Sequence, residues 1–286
     1  MGARGRARQK AVTTMGQTTG ISWTHHTANF WWGCQRVSPG CENCYAEFLA
    51  VTRRKLPVWG PPKTTERKRM SGIWRDIVKW NAEAAKTGTR KRVFVSSMAD
   101  VFEDHPQIAP WRAEALALLA TLTSLDVQLL TKRPQNIRAM APPSWLAPGG
   151  WPAHVWIGTT VEDQKRAEQR IPELLKVPAA LRFLSIEPLL EDLGAIDLRG
   201  IGWVIVGGES GQGARECQVE WVRSIVAQCR AAKVPVFVKQ LGRVPTSGGK
   251  RLRIYGEKGR PDLKGKTITA WPEDLRVREM PEVRRG

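Results

Sequence analysis

Six short apolar runs, separated by stretches of helical period, constrain what this chain can fold into more than any other feature. They are Arg92–Ser96, Val127–Thr131, Val155–Thr160, Leu181–Ile186, Trp203–Gly207 and Val236–Lys239. Each is apolar on consecutive positions, so each needs cover on both faces, as a strand of a parallel sheet does. Helices are predicted between them at Trp111–Ser124, Glu162–Leu175 and Glu220–Ala232, the last with Trp221, Ile225 and Val226 inward. A further amphipathic helix is predicted over Ser71–Ala85, with Ile73, Trp74, Ile77 and Trp80 on one side. With Ile21–Thr24 read as a first strand, the alternation predicts an α/β protein. The expected form is a parallel (β/α) barrel, partial or TIM-like, rather than an open doubly wound sheet.

After that first strand comes a loop that fits no purely structural role. Between Asn29 and Ala50 it holds Cys34, Cys41 and Cys44 as C-x6-C-x2-C, followed at once by Tyr45. Thiolates are soft ligands for zinc or an iron–sulfur cluster, and three of them leave one coordination position open. Ser38-Pro39-Gly40 is a turn signal that folds Cys34 back toward Cys41. From Cys44 the spacing is helical until Trp59-Gly60-Pro61-Pro62, which places the last cysteine at a helix N-terminus, where a thiolate is favoured. Cys217 and Cys229 lie far apart and indicate no disulfide framework, so a reducing cytoplasm is expected.

Charge narrows the partners. Forty-five Lys and Arg against 27 Asp and Glu leave a formal net charge of +18, a field that attracts polyanions, nucleic acid above all. Thirteen of the basic residues, against three acids, fall between Arg53 and Arg92, which is therefore the expected nucleic-acid surface. No apolar run approaches the roughly 18 residues of a membrane span, and the N-terminus lacks the apolar core of a secretory signal. Residues 1–15 are basic and without period, an expected disordered extension in which Met15 offers an alternative start. Residues 16–242 form the expected barrel domain, and 243–286 a basic, glycine-rich hairpin or mobile appendage.

Residues just past the strand ends of a (β/α) barrel converge on one mouth, where its chemistry sits. Here those ends are polar: Ser96, Ser97 and Asp100; Thr131, Lys132 and Arg133; Thr159, Thr160 and Glu162; Glu187; Gly207, Gly208 and Glu209; Lys239 and Gln240. Each has an ordinary alternative. Ser97, Asp100, Thr159 and Thr160 could cap helices, the glycines could only turn the chain, and the basic residues could be solvated. Their recurrence at the ends of buried strands argues for a site.

Several runs together resemble a phage-borne three-cysteine-motif family. They are TGISWT (19–24), the cysteine loop with YAE, VFVSSMADVF (93–102), LLTKRP (129–134), WIGTTVE (156–162), FLSIEPL (183–189), WVIVGGESG (203–211) and VPVFVKQLG (234–242). That family in turn looks like a divergent branch of the radical S-adenosylmethionine superfamily. Three cysteines there, usually C-x3-C-x2-C with an aromatic before the last, hold a 4Fe–4S cluster. Here the first gap is six and the aromatic, Tyr45, follows the last cysteine.

The resemblance implies a partial (β/α) barrel and reductive cleavage of S-adenosylmethionine to a deoxyadenosyl radical, used to repair or modify a base in DNA or tRNA. It makes Cys34, Cys41 and Cys44 the cluster ligands. Cofactor contacts would come from Tyr45, from Ser96, Ser97 and Asp100 toward the methionine end, and from Thr160. Glu162, Glu187 or Glu209 would meet the ribose, with Gly207 and Gly208 against the adenine. Lys132, Glu187 and Lys239 are the candidate catalytic groups, with Lys132, Arg133 and Lys239 available to an anionic substrate. A dedicated partner protein is also implied.

Two other readings stand beside this one. A non-catalytic nucleic-acid-binding protein would close a structural zinc with the three cysteines and His25 or His26. A Mg²⁺-dependent hydrolase would gather Asp100, Glu162, Glu187 and Glu209.

Overall fold

The computed structural model describes residues 19–256 and 259–282, so the extension expected over residues 1–15 lies outside it. In chain order the first elements are β1 (His26–Ala28), β2 (Trp31–Trp32), α1 (Tyr45–Glu47), β3 (Lys68–Arg69), α2 (Ile73–Thr87) and β4 (Lys91–Val95). Then come α3 (Ile108–Thr121), β5 (Leu125–Thr131), α4 (Ile137–Met140), α5 (Pro143–Leu146), β6 (Val155–Thr160), α6 (Gln164–Leu175), β7 (Arg182–Ile186) and β8 (Trp203–Gly207). The chain continues with β9 (Glu216–Gln218), α7 (Val219–Ala231), β10 (Val236–Gln240), β11 (Val244–Ser247) and β12 (Lys250–Arg251).

Seven strands form one sheet in the order β1-β4-β5-β6-β7-β8-β10, and every neighbouring pair is parallel. Each crossover therefore advances one place in the same direction, the winding rule of a barrel. The first and last strands do not pair, so the sheet is an arc, a partial (β/α) barrel. Its curvature shows in which side chains meet. Phe94 of β4, Trp156 of β6, Phe183 of β7, Trp203 of β8 and Phe237 of β10 share one buried cluster on the inner face. Trp203 is the hub, with ring centroids 5.7 Å from Phe183, 6.1 Å from Trp156 and 6.3 Å from Phe237. The outward positions of the same strands pack with α2, α3, α6 and α7 in the larger apolar cluster.

The predicted strands after the first match β4 to β8 and β10 to within about two residues at either end. The first does not. Ile21–Thr24 is a turn, and β1 begins two residues later at His26. Trp23 plugs the floor of the arc instead, 4.7 Å from Phe94 and 6.1 Å from Trp203, with its carbonyl held by Arg92. A bulky indole gains more by filling this floor than by lying on a sheet edge.

The segment after Arg243 is a hairpin at its start, with β11 antiparallel to β12 and parallel to β9. It then returns to the barrel. The Val238 amide donates to Val277 O and the Glu279 amide to Val236 O, so residues around Arg278 run antiparallel along β10. Trp271 and Leu275 are buried, and Lys266 reaches Gly20 O near the opposite edge of the arc. Of the hairpin or mobile appendage expected here, the described part of the tail starts as a hairpin and packs back on the barrel. It covers the open edge of the last strand, which would otherwise offer unpaired backbone groups. No helix among the described residues is long and apolar enough to cross a membrane.

Candidate active site

Inward positions of the strands change character along the barrel axis. Aromatic side chains fill the N-terminal half, and Ser96, Thr160, Ser185, Glu187 and Lys239 follow toward the C-terminal end. The cysteine loop arches over that end, and together they enclose a cleft of about 210 Å³.

All three cysteines line the cleft, as do Tyr45, Ser96, Ser97 and Asp100. Lys132, Thr160, Glu187, Gly208, Glu209 and Lys239 line it as well. Glu162 and Gly207 do not. Among the described residues no three His, Cys, Asp or Glu side chains are gathered about one point. Each thiol has its own neighbour. Cys34 Sγ lies 3.7 Å from Arg133 Nη1, Cys41 Sγ is 3.8 Å from Ser38 Oγ, and Cys44 stands at the N-cap of α1. Burial pushes the Cys34 thiol well up, against the pull of Arg133. Burial also raises Cys44, opposed by the amides at the start of α1 and by Lys132.

Each acid that the sequence marks at a strand end has its own cation. Asp100 pairs with Arg133 at 2.8 Å, Glu162 with Arg170 at 2.6 Å, Glu187 with Lys239 at 2.7 Å and Glu209 with Arg215 at 2.7 Å. Three of these pairs fasten the loops instead of facing a ligand. Asp100 also accepts from Thr131 Oγ1 and from the Lys132 and Phe102 amides, which leaves its oxygens fully engaged. Its partner Arg133 is buried and donates to Gln35 O in the cysteine loop. Of the three basic groups expected to face an anion, Arg133 is thus engaged within the protein, Lys239 pairs with Glu187, and Lys132 lines the cleft.

Glu162 accepts from Ser38 Oγ and so ties the turn before Cys41 to the end of β6. Gly40 passes so close that a Cβ there would sit 3.0 Å from the Glu162 carboxylate. Glu209 takes Asn43 Nδ2 at 2.9 Å, while Arg215 also bonds Glu42 and Pro39 O. Burial would raise the Glu209 carboxyl, but the Arg215 and Asn43 hydrogen bonds outweigh it and hold the group below its ordinary value. Gly207 and Gly208 have a packing reason too. A Cβ on Gly208 would lie 2.5 Å from Leu241 O, so its missing side chain admits the neighbouring backbone.

What remains for a ligand is narrower than the sequence indicated. Ser96 holds φ at +66°, a left-handed conformation costly for a residue with a Cβ, and its buried hydroxyl has no partner among the described residues. Gln240 spends Nε2 on Gly208 O, but its buried Oε1 likewise has no partner among them. Both line the cleft, as does Trp23, whose Nε1 is the third such atom, at the floor. Buried polar atoms are normally satisfied, so Ser96 Oγ and Gln240 Oε1, toward the C-terminal end, are a ligand's natural partners. The Glu187–Lys239 pair, just past β7 and on β10, adds a mostly buried acid and base to the lining. Tyr45 crosses the mouth and donates from its hydroxyl to Ser97 O at 2.9 Å, while Ser97 Oγ is met by Asn29.

The helix-cap readings of Thr159 and Thr160 do not hold. Thr159 bonds Thr131 O, and the cap of α6 is Asp163. The histidines are at the wrong end for a zinc ligand. His25 accepts from the Arg92 amide at the start of β4, and His26 stacks on Trp80 at 4.4 Å. The basic run of residues 53–92 is also divided. Arg67 is buried, Arg90 to Arg92 lie at the N-terminal ends of the strands, Arg75, Lys79 and Lys86 are exposed on α2, and Arg53, Arg54, Lys55, Lys63, Lys68 and Arg69 are exposed between the cysteine loop and α2. Ser38, Asn43, Arg170 and Arg215 were missed by sequence reasoning. Ser38 had its turn signal, but a surface-type arginine such as Arg215 had none.

The chain belongs to the family described as "Protein of unknown function (DUF5131)", which matches residues 18–272. No curated protein matches it. Two solved structures of spore photoproduct lyase, each a point mutant, are similar in part. One has a TM-score of 0.46 at 11% identity, covering 87% of this chain and 71% of that one. The other has a TM-score of 0.44 at 11% identity, covering 83% and 67%.

Proposed function

We propose that this family member is an iron–sulfur enzyme of the radical S-adenosylmethionine type that acts on nucleic acid. One observation carries the reading: all three thiols of the C-x6-C-x2-C loop open onto a single cleft at the C-terminal mouth of a parallel barrel arc. The donor set fits a cluster. A structural zinc would need a fourth protein ligand, and both candidate histidines lie at the other end of the strands, engaged with the Arg92 amide and Trp80. A 4Fe–4S cluster held by three cysteines needs no fourth side chain. A pairing of each strand-end acid with its own cation likewise leaves no cluster of free carboxylates for magnesium.

Cys34, Cys41 and Cys44 would hold the cluster. When bound, the cluster would supply the single electron that reductive cleavage of the S-adenosylmethionine sulfonium requires. Loading requires the buried thiols to lose protons, and Arg133 beside Cys34 and Lys132 near Cys44 offset the charge that results. Ser96 Oγ, Thr160 and Gln240 Oε1 would meet the polar groups of the cofactor. Lys239 and Glu187 would orient the substrate and hold a proton beside it. Asp100, Glu162 and Glu209 would position the loop without touching either.

Anaerobic reconstitution with iron and sulfide, followed by electron paramagnetic resonance of the reduced protein, tests this. A 4Fe–4S signal that shifts on adding S-adenosylmethionine and is lost in Cys41→Ser supports the reading. Stoichiometric zinc with no cluster overturns it.

A further inference from the structure

The helix after Cys44 buries Ala46 and Ala50 and turns Tyr45, Phe48 and Val51 outward, with 53%, 42% and 37% of their surfaces exposed. An apolar residue on the outer face of a surface helix is ordinary singly. Here three at roughly helical spacing form a stripe that starts at Tyr45, on the cleft wall, and runs outward along the helix. Val37, 42% exposed, adds to the same rim from the cysteine loop. The helix widens into a π-helical turn over Phe48–Arg53, a distortion frequent at functional sites.

The stripe ends in charge. Arg53, Arg54 and Lys55 are exposed at its far end, and the Arg53 guanidinium lies 5.4 Å from the Phe48 ring centroid. At the other end stand Lys132 and Lys239 inside the cleft. The two acids of the segment are engaged, Glu47 with Arg36 and Glu42 with Arg215. The rim thus presents aromatic faces flanked by cations, with no unpaired carboxylate among the described side chains of the stripe.

From this arrangement we infer that the rim of residues 45–55 is the docking strip for single-stranded nucleic acid, or for an unpaired nucleotide of a longer strand. Successive bases stack on Phe48 and Tyr45, phosphates lie against Arg53, Arg54 and Lys55, and the next base enters the cleft. A duplex hides its base faces in its own stack, so an open aromatic strip recognises an unpaired base and not a paired one. The inference rests on the nucleic-acid part of the proposed function and is independent of the cluster.

Fluorescence anisotropy of a labelled mixed-sequence single-stranded oligonucleotide, with the full chain and no cofactor or reductant, tests it. The duplex of the same sequence is measured in parallel, over a range of salt. Expected are tighter binding to the single strand than to the duplex and about a tenfold loss of affinity in Phe48→Ala with the salt slope unchanged. In Arg53→Ala with Arg54→Ala, the slope of log K against log salt should fall by about 1.4. Val78→Ala, at an exposed valine on α2, should change neither. Equal or tighter binding to the duplex overturns the inference, as does Phe48→Ala within twofold of the parent. Absence of binding at low salt also overturns it and leaves the rim to a protein partner. A protein that loads its cluster yet fails these tests loses this proposal alone. One that binds single strands but takes only zinc loses the radical chemistry alone.

Discussion

Replacing Arg67 with methionine should cost more stability than almost any other single change, although the residue sits in what the sequence presents as a basic surface. Arg67 and Glu103 are 0% and 1% exposed and meet through two hydrogen bonds, 3.0 Å from Nε and 2.9 Å from Nη2. The same guanidinium donates to Val58 O at 3.2 Å, Thr65 O at 3.0 Å and Gly60 O at 2.8 Å. Arg67→Met leaves the buried Glu103 carboxylate with only Arg133 Nη2, 3.8 Å away, for a loss of about 3 kcal/mol, the lower end for a broken buried pair. The double change Arg67→Met with Glu103→Leu removes that charge and leaves the same four carbonyls, those three and Glu66 O, short of a donor, at about 1 kcal/mol each. The double variant should therefore equal or exceed the single one in stability. Urea unfolding midpoints at constant m read both differences.

Because the Gly60 amide donates to Cys34 O, iron uptake on reconstitution should fall in both variants. A loss below about 1 kcal/mol in the single variant, or a double variant less stable than the single, would refute the argument.

Three further outcomes follow from other parts of the molecule. Ser96→Gly should raise stability by about 0.5–1 kcal/mol by relieving the left-handed backbone, while weakening S-adenosylmethionine binding in calorimetry through loss of the hydroxyl. The His25 imidazole is held down to about 4, from 6.5, by burial first and then by Arg92 and Lys91. The folded state binds that proton less readily than the unfolded chain, so this contribution is complete above pH 6.5 and is lost as the pH falls toward about 4. Urea midpoints should drop across that window and less so in His25→Gln, and an NMR titration should place the imidazole midpoint near the lower value. Gly158→Ala would bring a Cβ to 2.6 Å from the Phe183 ring and should lower the thermal midpoint through an overpacking cost of about 1–3 kcal/mol.

Much of the fold was legible because its signals are local. A strand buried on both faces must be apolar throughout, so Val155–Thr160 and Trp203–Gly207 declare themselves with the observed bounds. The cysteine spacing and the polar strand ends are equally local, and a parallel barrel brings such ends to one mouth whatever the loops do. Two short signals misled. The apolar Ile21–Thr24 looked like a strand because a buried tryptophan reads the same whether it lies on a sheet or plugs a floor. Arg67 counted as surface charge because nothing in the run around it reveals a buried Glu103 thirty-six residues away.

The sequence alone therefore determined the class of fold, the direction of its strands and the loop that holds the thiols. Only the tertiary structure decided which strand-end groups are spoken for. Asp100, Glu162, Glu187 and Glu209 look alike in sequence, and each acquires a different cation, from the next helix or loop for Glu162 and Glu209 and from another βα unit for Asp100 and Glu187. Three of them are thereby turned from candidate ligand contacts into fasteners of the cysteine loop. Ser96 and Gln240 keep a buried oxygen without a partner among the described residues for the same reason: hydrogen bonding is settled by what packs nearby in space, which residue type and local period do not encode.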